Sequence, residues 1–357
     1  MHACGPYVIE NVNVESTLVY TNNQPSGSIR APTAPQVCWA LEQHTDELAE
    51  ALGLDPVELR RRTLFEEGSE GPTRQVLGPI AVRDTLERAL ELIAPEGDLP
   101  EDEAIGVACG WWPSFGNASG AYVKLNADGS GTIVTGAQEN GSGAVMALPL
   151  LVADVLGMDP ADFSILYQDT EAAPFDAGSS GSQTTMNNGR AVVAAAGEVR
   201  DMLLDMAAKR LEVAREDLEL ADGHVRVVGA PDRAIEFSAL AGSGERLIGK
   251  GSGRPPKNPP CHAEGCLGRL GMESFLEPQV FTHAARVKVD RETGVVRVLH
   301  VAAAHDSGTI LNRIGASGQV YGGVVMGIGQ ALLEVSQLDA DGRQRNPHLL
   351  DYKLVTA

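Results

Sequence analysis

The chain is predicted to adopt an α+β fold built around two related hairpin–loop–helix units, and three observations predict it. Glycine-rich polar loops run into helices of small residues at three places: 136–143 before 144–156, 176–189 (with 178–184 at its centre) before 190–211, and 315–319 before a segment carrying Gly322, Gly323, Gly327 and Gly329. The stretch from Ala121 to Gly129 parallels that from Ala285 to Gly294, and each is followed by a second β-branched run, the pattern of a hairpin. Elsewhere, apolar residues recur at helical spacing.

In chain order, residues 7–14 and 17–21 read as extended sequence. A polar loop, 22–28, leads to Arg30, where Pro32 and Pro35 fix the backbone and Ala31 and Ala34 keep bulk away. Val37, Leu41, His44, Leu48 and Leu52 then trace a helix ending at Gly53. Asp55 and Pro56 read as the cap and first-turn proline of a short basic helix, 57–64. Val82, Leu86, Leu90 and Ile93 mark a third amphipathic helix. The acidic, proline-bearing stretch 95–103 is the best boundary. Residues 212–228 read as a small strand-containing insert, and 249–271, rich in Gly and Pro, as a surface loop. The expected organisation is therefore 1–100 (Arg30 loop plus helices), 101–272 (first α+β unit with insert) and 273–357 (second unit). Both ends read as cut through extended sequence.

Composition bounds the function. The 357 residues are 43% hydrophobic, ample for a core, and 28 Lys+Arg against 48 Asp+Glu give a net charge of −20. Such a surface repels nucleic acid and anionic membranes, so neither is expected as a partner. No apolar run reaches the roughly 18 residues a bilayer span needs. Five irregularly spaced cysteines favour a reducing compartment, with the cytoplasm expected. Glycine loops let backbone N–H groups and short hydroxyls approach an anion. Three of them point to a large, phosphate-bearing cofactor held from several sides. A plain dinucleotide fold is disfavoured, because no strand is followed by G-x-G-x-x-G with an acid about 20 positions on.

Read together, the segment from Thr21 through Ser26, Arg30 and Gln36, the run from Leu52 to Arg60, the loops from Thr135 to Gly143 and Gly178 to Thr184, Asp169-Thr170, Asn188-Gly189, and the block from Val287 through Asp306, Gln319 and Gly329 resemble the molybdenum-binding subunit of the xanthine dehydrogenase/aldehyde oxidoreductase family. The resemblance runs through nearly the whole chain. It implies part of a molybdenum–molybdopterin-binding domain, with the cofactor as its cytosine dinucleotide. The implied reaction is hydroxylation of an aldehyde or N-heterocycle with water-derived oxygen. Electrons would leave through iron–sulfur clusters and FAD on partner subunits, since Cys4, Cys38, Cys109, Cys261 and Cys266 lack the C-x₄-C-x₂-C spacing of a plant-type cluster.

By the same resemblance, Arg30 would be the catalytic arginine beside the metal, orienting substrate and stabilising negative charge. Asn140, Gly141 and Ser142 would line the loop under the pterin, although the family more often has glutamine at the position of Ser142. Gly181, Ser182 and Thr184 would form the second cofactor loop, and Gln319 would approach the metal's oxo ligand or the pterin. No protein ligand to the metal is implied. The family's glycine–phenylalanine–glycine loop and its glutamate base are absent from this sequence. The chain is therefore expected to be inactive alone and to need the missing part of the molybdenum-binding subunit. The alternative is a cofactor-free structural or assembly subunit of a redox complex.

Other constellations have plainer readings. Cys261, His262 and Cys266 supply too few ligands for a zinc site. Asp306 reads as a turn former and His305 as a strand residue. Trp111, Trp112 and Phe115 could line a substrate funnel or simply pack. The small residues from Ala191 to Gly197 read as a tight helix-packing face. Glu42 and Glu139 stand outside the family's base context.

Overall fold

The computed structural model describes residues 2–23, 27–72, 75–112, 116–167, 169–254 and 278–356. The principal elements are α1 (Ala34–Leu52), α2 (Pro56–Thr63), α3 (Val82–Ile93), β1 (Glu103–Trp112), β2 (Ser119–Leu125), β3 (Gly131–Thr135), α4 (Leu148–Leu156), β4 (Phe163–Leu166), α5 (Gly189–Leu211), β5 (Leu218–Ala221), β6 (His224–Val227), β7 (Ala230–Glu236), α6 (Phe237–Ala241), β8 (Ile248–Gly253), β9 (Gln279–Val289), β10 (Val296–Asp306) and α7 (Arg313–Leu332). The chain divides into two compact units, one of residues 1–113, 257–310 and 317–357, the other of 114–256 and 311–316. Both predicted hairpins form, β2–β3 and β9–β10, each followed by a loop and a helix. The fold is α+β. Among the described residues no helix is long and apolar enough to cross a membrane.

In the first unit, β1, β9 and β10 make an antiparallel sheet with β9 in the middle. Its alternate residues Val280, Thr282 and Ala284 are buried, and α3 packs on this sheet through Val82, Leu86, Ala89 and Ile93. The cap predicted for α2 is present: Asp55 Oδ1 accepts from the Val57 and Glu58 amides, both at 2.9 Å. Helix α1 ends at Gly53 in the left-handed region, as its sequence predicts.

The inward face of α1 is not the one its apolar spacing marks. Glu42, Thr45 and Ala49 are buried, whereas Leu48 and Leu52 are exposed. The cause is electrostatic. Arg60 of α2 is completely buried, and its Nε donates to Glu42 Oε2 at 3.0 Å and its Nη1 to Asp46 Oδ1 at 2.6 Å. Glu42 also accepts from the Tyr7 hydroxyl at 2.6 Å and the Cys109 amide at 2.7 Å. A buried charge persists only when paired and hydrogen-bonded, so α1 turns its carboxylates inward.

The segments 7–14 and 17–21, read as extended, join no sheet among the described residues. Tyr7 makes one bridge with Leu64 and the Val8 amide donates to the Thr63 carbonyl at 2.7 Å, but 8–21 belong to no strand among the described residues. Val12, Val14, Leu18 and Tyr20 stay exposed there, so β-propensity finds no neighbouring strand to satisfy it.

In the second unit, β4, β3, β2 and β8 form a sheet in that order. β3 and β4 are parallel, with α4 as the crossover, and the other pairs are antiparallel. The core joins Val123, Leu125 and Ile133 to Leu148 and Val152 of α4 and to Val192, Val199 and Leu203 of α5. The insert is an antiparallel meander of β5, β6 and β7.

The surface loop expected over 249–271 is corrected at its start, because Ile248–Gly253 is strand β8, paired with β2. Its glycines alternate. A Cβ on Gly249, Gly251 or Gly253 would lie 1.9, 1.8 or 1.8 Å from the carbonyl oxygens of Ala195, Ala191 and Asn187. The strand lies directly on the backbone of α5 and its preceding turn, which explains both the glycines and the small-residue stripe opposite. Cys261, His262, Cys266 and Phe115 lie outside the described residues. Trp111 packs on Phe65 in the core and Trp112 stacks on His2, so both tryptophans are packing residues.

Candidate cofactor-binding loops and the Arg30 cluster

In the second unit, the two leading glycine-rich loops meet. Thr135, at the end of β3, donates its hydroxyl to Asn188 Oδ1 at 2.7 Å. Asn188 Nδ2 donates to Asp176 Oδ2 at 2.6 Å, and Asp176 Oδ1 accepts the Gly178 amide at 2.8 Å. Gln183 Nε2 donates to the Gly178 carbonyl, and Gln183 Oε1 accepts the Asn117 amide. Gln183, Asn187 and Asn188 are nearly inaccessible, and Asn187 and Asn188 belong to a π-helical turn, Thr184–Asn188, feeding α5. These buried amides fix the loop 176–183. Asn188 and Gly189 stand out in the sequence, whereas the roles of Gln183 and Asn187 emerge only from the fold; their one signal in the sequence is their place as polar residues just before a small-residue helix.

Asn140 Nδ2 donates to Ser179 Oγ at 2.9 Å, tying the first loop to the second. Gly141 has φ 92°, Gly181 70° and Ser182 63°. A left-handed serine is uncommon and is sustained only by surrounding structure. Ser142 Oγ accepts the Ala144 amide, and Thr184 is buried at the start of the π-helical turn. The anion met by the first loop's N–H groups is the chain's own. Glu139 Oε1 accepts from Gly141 and Gly143 at 2.8 and 2.9 Å, and its Oε2 from Val145 at 3.3 Å.

This patch fits a large phosphate-bearing group. Its exposed lining is Asn140, Gly141, Ser179, Ser180 and Ser182, short and neutral. A Cβ on Gly141 or Gly178 would meet nothing within 4 Å, so backbone is open to a ligand there. The nearby carboxylates of Glu139 and Asp176 are engaged by backbone donors rather than facing outward as free negative charge.

In the first unit, Arg30 and Gln319 come together. Arg30 Nη2 donates to the Gln319 main-chain carbonyl at 3.0 Å, and Gly322 and Gly323 flank the guanidinium, where an added Cβ would lie 3.7 and 3.8 Å from Nη1. The third glycine-rich loop of the sequence is not a loop. Gly315–Gln319 lies within α7, because Asn312 Oδ1 accepts the Gly315 amide at 2.9 Å and starts the helix two residues earlier. Gln319 therefore contributes its carbonyl from a helix and does not cap one.

The same unit holds a cluster that sequence reading passed over. His283 on β9 and His305 on β10 face each other with Nε2 to Nε2 at 2.9 Å, and Phe281 stacks on His305 at 5.4 Å between ring centroids. Burial and the neighbouring His305 push His283 down to about 4, and burial with the Arg30 charge lowers His305. Asp306 is the turn former expected, accepting the Gly308 amide at 3.1 Å, and its other oxygen accepts the Ala81 amide. Among the described residues no group of three or more His, Cys, Asp or Glu could hold a metal ion.

Residues 89–357 match the family model described as molybdopterin cofactor-binding domain, and residues 1–64 match a second model of the same description. This chain belongs to the molybdopterin cofactor-binding family. Its relatives include a xanthine dehydrogenase molybdenum-binding subunit and an aldehyde oxidoreductase. The chain is 33% identical to the xanthine dehydrogenase molybdenum-binding subunit of Escherichia coli O157:H7, over 96% of this chain and 46% of that one. It is 28% identical to the nicotine 6-hydroxylase large subunit of Paenarthrobacter nicotinovorans, over 94% and 43%. Among solved structures it superposes on quinoline 2-oxidoreductase from Pseudomonas putida 86 with a TM-score of 0.76 and 25% identity, over 90% of this chain and 43% of that one. The chain thus spans less than half the length of these relatives.

Proposed function

We propose that this chain is the molybdopterin-binding portion of a molybdenum hydroxylase that oxidises aldehydes or N-heterocycles with water-derived oxygen. The observation that carries the reading is the junction of the two glycine-rich loops through Asn140 and Ser179, braced by buried Asn188. Asn140, Gly141, Ser142, Gly181, Ser182 and Thr184 would hold the pterin dinucleotide, taken as the cytosine form, through main-chain N–H groups and short polar side chains. When bound, the cofactor supplies the oxygen-insertion and two-electron chemistry. The chain's own contribution is to position and shield it. The Arg30 guanidinium, held by the Gln319 carbonyl, would orient substrate and stabilise developing negative charge. Iron–sulfur and FAD partner subunits, the remainder of the molybdenum-binding subunit and a cytoplasmic setting complete the reading, and the isolated chain is expected to lack turnover.

Metal and phosphate analysis after co-expression with the neighbouring redox subunits tests this. Stoichiometric molybdenum with organic phosphate supports the reading. A folded, assembled chain devoid of both would instead favour the structural-subunit alternative, to which the occupation of the first loop's amides by Glu139 lends some support.

A further inference from the structure

The first glycine-rich loop closes on one of its own side chains. Glu139 Oε1 accepts the Gly141 and Gly143 amides at 2.8 and 2.9 Å, and Oε2 accepts the Val145 amide at 3.3 Å. Three main-chain donors on one half-buried carboxylate make an anion-binding nest that is filled from within. Gly141 and Gly143, with φ of 92° and 75°, give the backbone the left-handed steps this needs. The carboxylate takes alternate amides, 141, 143 and 145, and those of Asn140 and Ser142 stay outside the set.

Both ends of the loop are anchored. Val145 is completely buried and opens the helical turn Val145–Ala147, which leads into α4 and the core through Leu148 and Val152. At the other end the Thr135 hydroxyl accepts the Ala137 amide and donates to Asn188. Between them Gly136, Gly141 and Gly143 give the chain wide conformational freedom. Glu139 removes it just where the loops join, because the next residue, Asn140, makes the 2.9 Å bond to Ser179.

We propose that Glu139 is a positioning residue of the cofactor-binding loop: its carboxylate orders the nest from within and so holds Asn140 against Ser179 before any ligand arrives. The inference deepens the cofactor reading and rests on it. A loop ordered in advance spares the ligand the entropy of ordering it. The two carboxylate oxygens act on different amides, which makes the role separable. Glu139→Ala removes all three bonds. Glu139→Gln keeps Oε1 for Gly141 and Gly143 but turns an NH2 group toward the Val145 N–H, so that two donors meet.

Hydrogen exchange by NMR in the full, cofactor-free chain tests this. Glu139→Ala should speed exchange about tenfold at the Gly143 and Val145 amides and at the Asn140 side-chain amide, with the β5–β7 meander unchanged. Glu139→Gln should spare Gly143 and release Val145. Ser179→Ala should release the Asn140 side chain yet leave Gly143 and Val145 protected, because the nest does not depend on that tie. In the co-expressed assembly, molybdenum content should fall several-fold in Glu139→Ala and stay near wild type in Glu139→Gln. Unchanged exchange at Gly143 and Val145 in Glu139→Ala, an Asn140 side chain still held there, or acceleration spread through β5–β7 would each overturn the proposal. So would equal loosening of Gly143 and Val145 by Ser179→Ala, equal behaviour of those two amides in Glu139→Gln, or equal molybdenum loss in the two Glu139 variants. Wild-type molybdenum content judges the cofactor reading, and the exchange hierarchy judges Glu139, so the two can fail separately.

Discussion

Gly251 of β8 rests on Ala191 of α5 so closely that a methyl group on the glycine would stand 1.8 Å from the Ala191 carbonyl oxygen. The obstacle is helix backbone, which cannot rotate aside. Gly251→Ala should therefore destabilise the fold by about 3 kcal/mol or more, above the usual cost of overpacking. Gly197, inside α5 with nothing within 4 Å of its would-be Cβ, gives the opposite expectation. Gly197→Ala should stabilise by roughly 0.5–1 kcal/mol through helix propensity. Urea unfolding of the two variants checks both signs, and similar midpoints would contradict the packing argument.

Arg60 is the second test. It is fully buried and bonded to Glu42, Asp46 and the Pro56 carbonyl. Arg60→Ala leaves the Glu42 carboxylate without its buried cation and should cost about 3–5 kcal/mol. Tyr7→Phe removes one donor to that carboxylate and should cost about 1–3 kcal/mol. A double mutant less destabilised than the sum would show that the two act through Glu42.

The loop brace predicts a local effect. Asn188→Ala removes the bonds to Thr135 and Asp176, and so frees the carboxylate that holds the Gly178 amide. Hydrogen exchange at 176–183 should accelerate at least tenfold while the β9–β10 ladder stays protected. Uniform acceleration across the chain would mean that Asn188 serves global stability only.

The histidine pair sets a pH window. His283 titrates at about 4 when folded, and His305 is also lowered, while both revert to the ordinary range near 6.5 when unfolded. Between these values the unfolded chain binds more protons, so stability is full above pH 6.5 and falls as pH drops toward 4. The loss should be about 1–2 kcal/mol after allowance for the exposed side of His305. The double variant His283→Gln/His305→Gln should flatten this part of the Tm–pH curve. Asp128 and Asp290, whose hydrogen bonds lower them, lose stability only as pH falls below the usual carboxylate range, so the two effects separate.

Local rules were readable where a residue acts on its immediate neighbours. The Asp55 cap, the Gly53 stop, the α3 stripe and both hairpins depend on backbone geometry within a few positions, and the residues state them directly. Reading failed where a distant partner decided. The glycines of β8 resembled a loop because the helix backbone they accommodate lies some 60 positions away in sequence. Leu48 and Leu52 marked the wrong face of α1 because a buried arginine outweighed them. Gly315–Gln319 resembled a loop because glycine is a poor guide when Asn312 starts the helix ahead of it.

For the site, the order of motifs sufficed to indicate the family and to nominate Arg30, Gln319 and the two polar loops. Which atoms meet was decided by folding alone. Arg30 reaches the main-chain carbonyl of Gln319, Glu139 turns back on its own loop, and two histidines 22 positions apart come within a hydrogen bond. Sequence determines what each short segment prefers, because those preferences arise from covalent and near-neighbour forces. Only the tertiary structure determines which buried charges, glycines and imidazoles become partners, because strand register and helix docking bring them together.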